Sequence, residues 1–344
     1  MKLSICYPVY DDFNGLYFSA MDIPLSHPEI CDDIEIVVLD NNPSSVQGKR
    51  TNEWVNSQLK ASVSAKYIPF EENFGSALAK QKCIDNSLGE FFLIMDSHVR
   101  VARGGIAKLL DYYKEHPKTS DLFSGPMFYD SEFLRAGRNE VLRGYSTHLD
   151  EVWRGESLGI WATNPQGEDI NNEPFEIPAM GCGLFSCRKE AFVGFNPKFK
   201  GFGAEEYYIH HKTRMAGNKC ICLPFLRWVH RFDRPTGVPY PITRLDKVRN
   251  YIIGHLELDM PLEGIYDHFI KTGLVSENDW NKLLEEQNYV TKPENIASSI
   301  VQSVVEQGSI IQRMLDQTAR QNQKPKIKFK TYKTAPKQKQ IALL

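Results

Sequence analysis

The chain has 344 residues, 42% of them hydrophobic and 24% charged, ordinary values for a water-soluble protein with a sizeable core. This excludes wholesale disorder, a collagen-like repeat and a disulfide miniprotein. The net charge of −2 hides an asymmetry: the last 22 residues hold seven lysines and no acid, leaving 34 basic against 43 acidic groups in the rest.

The chain opens MKLSICYPVYDD. Pro8 and the pair Asp11–Asp12 interrupt its first apolar stretch, so no signal peptide is expected, and no apolar run is long enough for a membrane span. Residues 3–9, 34–39 and 91–95 are short apolar runs ending in polar residues. Such runs suit strands buried on both faces, as in a parallel sheet. Helices are expected between them at about 50–60, 75–88 and 104–115. Strands alternating with helices predict an α/β fold built on one main sheet. Residues 125–175, rich in Gly, Asn, Asp and aromatics, read as irregular, and 176–230 return to strand and helix. Residues 262–320 read as helical. Ile296, Ile300, Val301, Val304, Val305, Ile311, Met314 and Leu315 fall largely on one helical face, with Gly308 as a weak point. No internal repeat is visible. The seven cysteines form no CxxC pair. Most sit in apolar contexts (Cys6, Cys83, Cys187, Cys222), which predicts reduced, buried thiols in a cytoplasmic protein and no structural zinc. In the Lys-rich tail, KIKFKTYK alternates Lys with Ile, Phe and Tyr. That spacing suits an edge strand, or a strip pairing phosphate contacts with stacking rings. It makes nucleic acid a candidate partner beside a plain solvated terminus.

Each predicted strand ends in polar groups: Tyr10–Asp11, then Asp40–Asn41–Asn42, then Asp96–Ser97–His98. Ligands of open α/β sheets bind at the carboxyl ends of strands. Neither GxGxxG nor GxxxxGK[ST] occurs, so a Rossmann dinucleotide site and a P-loop are not supported. Asp96 and His98 are two apart and, in extended backbone, share one side. A carboxylate and an imidazole suit Mn²⁺, with Mg²⁺ or another divalent ion as alternative, bridging diphosphate oxygens. Taken alone, the same DxH fits a plain strand-end turn. His210 and His211 read as structural or exposed.

The stretch ENFGSALAKQKCIDNSLGEFFLIMDSH resembles nucleotide-sugar glycosyltransferases of the GT-A fold and family 2 type, in which an Asn-x-Gly turn and a helix with a basic residue precede an apolar strand and DxD or DxH. The segment IPAMGCGLFSCRKEAFVGFNPKFKGFGAEEYYIHHKTRMAGNKCICLPFLRWVHRF resembles the catalytic domain of polypeptide N-acetylgalactosaminyltransferases, with their Met-x-Gly-Gly-Leu-Phe strand, Gly-Gly-Glu-Asn helix start and later His. The resemblance covers roughly residues 1–240. It implies a single mixed, Rossmann-like sheet flanked by helices: a catalytic domain over 1–255, a C-terminal helical extension over 256–322 and a basic tail over 323–344.

Residue by residue, the resemblance places Asp96, His98 and His230 on Mn²⁺ and implies a UDP-sugar donor. Asp40 would read uracil or ribose, Pro8 and Tyr10 would line the base pocket, and Asn73 belongs to the turn before the basic helix. Lys80 stands where these families have Arg and would face the nucleotide. Trp161, Gly181 and Gly183 would border the donor sugar. Glu205 would bind sugar hydroxyls or orient the acceptor, and Glu206 stands where the family has Asn. Arg231 or Arg234, in the Pro- and Gly-containing loop 231–240, would clamp phosphate under a lid, although Asp233 falls near the family's own Arg. The implied reaction is retaining transfer of a hexosyl or N-acetylhexosaminyl group to a hydroxyl of a glycan, a protein or a hydroxymethylated phage DNA base. An inverting transfer would instead need Glu205 or Glu206 as base. A metal-dependent phosphotransferase and a non-catalytic nucleotide-sugar or nucleic-acid binding module are the rival classes. Without a membrane anchor or lectin module, the expected location is the cytoplasm of a bacterial or virus-infected cell.

Overall fold

The computed structural model describes residues 2–71, 75–129, 144–232 and 237–289. The elements, in chain order, are β1 (Leu3–Val9), α1 (Phe13–Ser26), β2 (Ile34–Asp40), α2 (Val46–Trp54), β3 (Ala65–Pro69), α3 (Ser76–Asp85), β4 (Phe91–Met95), β5 (Val99–Val101), α4 (Gly105–Glu115), β6 (Leu122–Ser124), β7 (Met127–Tyr129), β8 (Tyr145–Ser146), β9 (His148–Arg154), β10 (Ser157–Ala162), β11 (Phe175–Glu176), β12 (Leu184–Arg188), α5 (Glu205–Met215), β13 (Cys220–Cys222), β14 (Trp228–His230), α6 (Arg244–Glu257), α7 (Glu263–Phe269) and α8 (Glu277–Glu286).

The expected main sheet is present: eight strands in the order β11-β13-β6-β12-β4-β1-β2-β3. Strands β4, β1, β2 and β3 run parallel, while β12 is antiparallel to both β4 and β6. The apolar runs explain the arrangement. Every residue of β2 and β4 is buried, and all of β1 but Pro8. Strands apolar on both faces need helices above and below, and parallel crossovers supply them. Two small sheets accompany the large one: the hairpin β9–β10, and β5-β14-β7-β8. Most of these strands lie in the segment that the sequence reads as irregular. Their two- or three-residue lengths and the half-exposed faces of β9 and β10 leave no apolar run to detect.

Helix α1 is also absent from the sequence reading, since Pro24 inside it disguises the pattern; Asp12 caps it by accepting the Gly15 N–H. Helix α2 begins earlier than expected, where Ser45 accepts the Gly48 N–H, and continues through a π-helical turn, Val55–Leu59. Residues Met1–Tyr289 form one compact unit. Helices α6, α7 and α8 bring a second apolar cluster, including Val248, Ile252, Ile265, Phe269 and Trp280. All seven cysteines are free thiols, six of them buried. Among the described residues no helix is long and apolar enough to cross a membrane. The amphipathic stretch 296–315 and the tail 323–344 lie outside the described residues.

His210 is structural. Its Nε2 accepts the Met180 N–H (3.2 Å) and its Nδ1 donates to the Glu206 carbonyl (2.6 Å), joining α5 to the segment before β12. Burial lowers its pKa to about 4, because a charged imidazole there would lose its hydration. The neutral ring therefore contributes its stabilisation above the unfolded-state value near 6.5, and that contribution is lost as pH falls toward 4. The expected result is a loss of about 3 kcal/mol across this window, read as a falling denaturation midpoint. A His210→Leu variant should show a flatter profile there.

Candidate active site

Asp96 follows β4, and its N–H donates to the Gly183 carbonyl (2.9 Å). The chain then turns through Ser97 and His98 into β5. Strand β14 runs antiparallel to β5 with His230 opposite Val99, which carries a residue 132 positions downstream to the DxH turn. The His98 and His230 Nε2 atoms are 3.2 Å apart, and each lies 3.9 Å from Asp96 Oδ2. All three residues are partly buried, and they are the one such candidate metal-binding group among the described residues. Ligands of one ion at about 2.1 Å stand about 3.0–3.4 Å apart. The imidazoles are already at that spacing and the carboxylate is about half an ångström beyond it. Two nitrogens and a carboxylate suit Mn²⁺ or a similar borderline ion and leave further coordination positions for ligand oxygens. A Cβ on Gly183 would stand 3.2 Å from the His230 ring and 3.3 Å from Asp96 Oδ2, so glycine there lets the two ligands approach.

Burial alone would raise the Asp96 pKa, but the Lys80 ammonium and the two imidazoles outweigh it and hold the carboxyl well below the usual range. Lys80, on α3, is 4% exposed. Burial would lower its pKa; Asp96 and Glu205 reverse that and raise it. Its Nζ is 3.5 Å from Glu205 Oε1, which also accepts the Ser76 hydroxyl (2.6 Å). Glu205 Oε2 is buried and has no hydrogen-bond partner among the described residues. Glu205 and Glu206 open α5, where the helix dipole favours acids. Burial and the neighbouring Glu205 push the Glu206 carboxyl up to about 8.

A cleft of about 300 Å³ opens at the carboxyl ends of β1, β2 and β4; His230, Glu205 and Glu206 stand behind its lining. Of the residues expected at the site, Pro8, Tyr10, Lys80, Asp96 and His98 line it. Asp40 does not: it is 1% exposed, and its carboxylate accepts the Asn42 N–H and the Tyr67 hydroxyl, both at 2.9 Å. The next residue, Asn41, lines the cleft instead, and its buried Oδ1 has no partner among the described residues. Trp161 stands over Gly181, where a Cβ would approach its ring to 2.6 Å, and packs beside Leu149, Ala179 and Tyr207. Arg231 follows His230, its N–H donating to the His98 carbonyl (3.2 Å), and its Nε is buried without a partner among the described residues. Asn73, Asp233 and Arg234 lie outside the described residues.

Several cleft residues carry no motif. Tyr240 stands between Phe202 and Tyr10 in an aromatic wall, at ring distances of 5.8 and 6.0 Å. Asp246 reaches the cleft from α6, holding Arg249 and the Thr243 hydroxyl. Asp12 accepts the Ser97 hydroxyl at 2.7 Å. The Asp11–Asp12 pair was a signal available in the sequence. Tyr240 ends the loop 231–240 that the resemblance sets over the phosphate, whereas Asp246 had no signal, since its approach depends on the packing of α6.

Residues 26–193 match the family model described as Glycosyl transferase family 2. The chain is 28% identical over 147 residues to a probable N-acetylgalactosaminyltransferase 8 of Caenorhabditis elegans, covering 42% of this chain and 34% of that protein. It is 24% identical over 237 residues to polypeptide N-acetylgalactosaminyltransferase 5 of Mus musculus, covering 65% and 25%. The chain thus spans about a quarter to a third of these curated relatives. Its fold is similar to that of GalNAc-T7, solved with UDP, GalNAc and Mn²⁺, at TM-score 0.58 and 16% identity over 85% of this chain and 55% of that one. A mannosyltransferase of Pyrobaculum calidifontis, solved with GDP-Man and Mn²⁺, aligns at TM-score 0.50 and 15% identity over 88% and 80%. The large mixed sheet flanked by helices is the GT-A fold, and residues 26–193 upon it are similar to the glycosyl transferase family 2 model.

Proposed function

We propose that the protein is a metal-dependent glycosyltransferase that moves a sugar from a UDP-sugar to an acceptor hydroxyl with retention at the anomeric carbon. The observation that carries this reading is the convergence of Asp96, His98 and His230, of which Asp96 and His98 line a cleft together with the buried Lys80. A divalent ion held by these three residues, Mn²⁺ first and Mg²⁺ second, would supply positive charge to the departing diphosphate. Lys80 would add a second, fixed charge in a desolvated setting. The Asn41 amide, offering both an acceptor and a donor, would face the base end of the cleft together with Pro8 and Tyr10.

In the transfer, the bond from the anomeric carbon to the diphosphate breaks. A bond to the acceptor oxygen forms on the same face, and the acceptor's proton passes to the leaving phosphate. The state of the carboxylates supports this route. An inverting enzyme needs an ionised carboxylate free to take that proton. Here Asp246 is held by Arg249 and Asp12 by Ser97, while Glu205, bonded to Lys80 and Ser76 through Oε1, keeps its Oε2 buried and does not line the cleft. For Glu206, burial and the neighbouring Glu205 push the carboxyl up, which disfavours the ionised form a base would need.

The test is UDP release from a panel of nucleotide-sugars, with Mn²⁺ and with chelator. The expected outcome is cleavage of a UDP-sugar with Mn²⁺ and none with chelator. If no nucleotide-sugar is cleaved and UDP with Mn²⁺ does not bind, the proposal is wrong.

A further inference from the structure

We infer that Asp12 is a positioning residue for the metal centre, fixing the orientation and tautomer of His98; this rests on the metal-binding reading of the site. Three observations carry it. First, Asp12 Oδ2 lies 3.4 Å from His98 Nδ1, the ring nitrogen opposite the one that faces His230 and Asp96. Second, the same Oδ2 accepts the Ser97 hydroxyl at 2.7 Å, so residues 97 and 98 of the DxH turn both address one carboxylate. Third, the carboxylate is itself fixed. Asp12 caps α1 through its other oxygen, which accepts the Gly15 N–H at 3.1 Å, and the neighbouring Asp11, at φ +46°, bonds Ser45 and Asn42 across the cleft end of the sheet.

An imidazole can offer a lone pair to a metal only from an unprotonated nitrogen. An anion facing Nδ1 keeps the proton there and leaves Nε2 bare, directed toward Asp96 and His230. The carboxylate also makes the ring a better donor, and outer partners of this kind are worth about 10–100-fold in metal affinity. Asp12 thus links helix α1 to the metal from a position 84 or more residues away from each of the three ligands and outside both motif stretches.

The helix-cap role makes a clean separation possible. Asparagine caps a helix about as well as aspartate but carries no charge for the imidazole. In the full-length protein, Asp12→Asn is expected to leave the melting temperature of the metal-free form within about 2 °C of the parent, as retained capping requires. It should weaken Mn²⁺ binding, measured by the electron paramagnetic resonance of free Mn²⁺, by about 10–100-fold. The visible absorption of bound Co²⁺ should also shift, since the donor strength of His98 has changed. An Asp12→Ala variant should show the same loss of affinity together with a lower melting temperature. If Asp12→Asn binds Mn²⁺ like the parent while His98→Ala does not, Asp12 is a helix cap only and the inference is overturned, with the metal site left standing. If the parent protein binds no Mn²⁺, with or without UDP, the proposed function and this inference both fall.

Discussion

Replacing Lys80 with methionine is expected to cost about 3–5 kcal/mol of stability in chelator and to slow sugar transfer by roughly 10²–10³. The first figure follows from burial. Lys80 and Glu205 are 4% and 1% exposed, with Nζ and Oε1 3.5 Å apart. Methionine fills much of the lysine's volume, so the cost is the buried negative charge left behind on Glu205, and on Asp96 when no cation balances it. The second figure follows from the same charge acting on the diphosphate as it departs. The two effects separate in the double variant Lys80→Met/Glu205→Gln. Removing both charges should return most of the stability, measured by urea denaturation, and none of the activity. A Lys80→Met protein that turns over at the parental rate under conditions where it is folded would show that the cation serves only the fold.

Lys80 also illustrates what the sequence contains. Helix α3 buries Ala77, Ala79, Cys83 and Ile84, and a lysine within that apolar stripe is a conflict between local pattern and charge. Such conflicts gather at functional sites, so the helix carried a signal at this position, although Lys80 was named from the family resemblance alone. The strands β1, β2 and β4 were legible for the opposite reason, that nothing in them conflicts. Fully buried strands must be apolar throughout, and their carboxyl ends must lie where the sheet opens.

The parts that escaped have their own physical causes. Strand β14 is three residues long, WVH, and its place beside β5 depends on backbone pairing that leaves no mark in composition. His230 could be named from the resemblance and not from spacing. Asp40 was expected at the base and Asn41 was not. Whether a strand-end side chain points into the cleft depends on the exact last residue of the strand, because alternate residues face opposite sides. Asp40 still belongs to β2 and turns toward Tyr67 on the next strand, while Asn41 begins the loop. A shift of one residue exchanges their roles, and the sequence does not fix strand ends to that precision.

His230→Ala should abolish metal-dependent transfer, with a loss of roughly 10³ or more, while leaving the fold intact. A factor of 10³ is about 4 kcal/mol of transition-state stabilisation, within the range that a bound divalent ion gives a departing oxyanion. The substitution removes one of three ligands. Asp96 and His98 alone would make a two-ligand site with much weaker hold on the ion. The fold should tolerate it because β14 pairs with β5 and β7 through its backbone, and the buried Trp228 keeps its bond to the Gly125 carbonyl (2.7 Å). Without an ion, the two imidazoles share one proton in a hydrogen bond of 3.2 Å, and His230 also faces Asp96 and packs on Phe232. The melting temperature in chelator should therefore fall modestly. Added Mn²⁺ should stabilise the parent according to its affinity and stabilise His230→Ala much less. Equal stabilisation of both proteins by Mn²⁺, with parental turnover in the variant, would place the ion on other residues and remove His230 from the site.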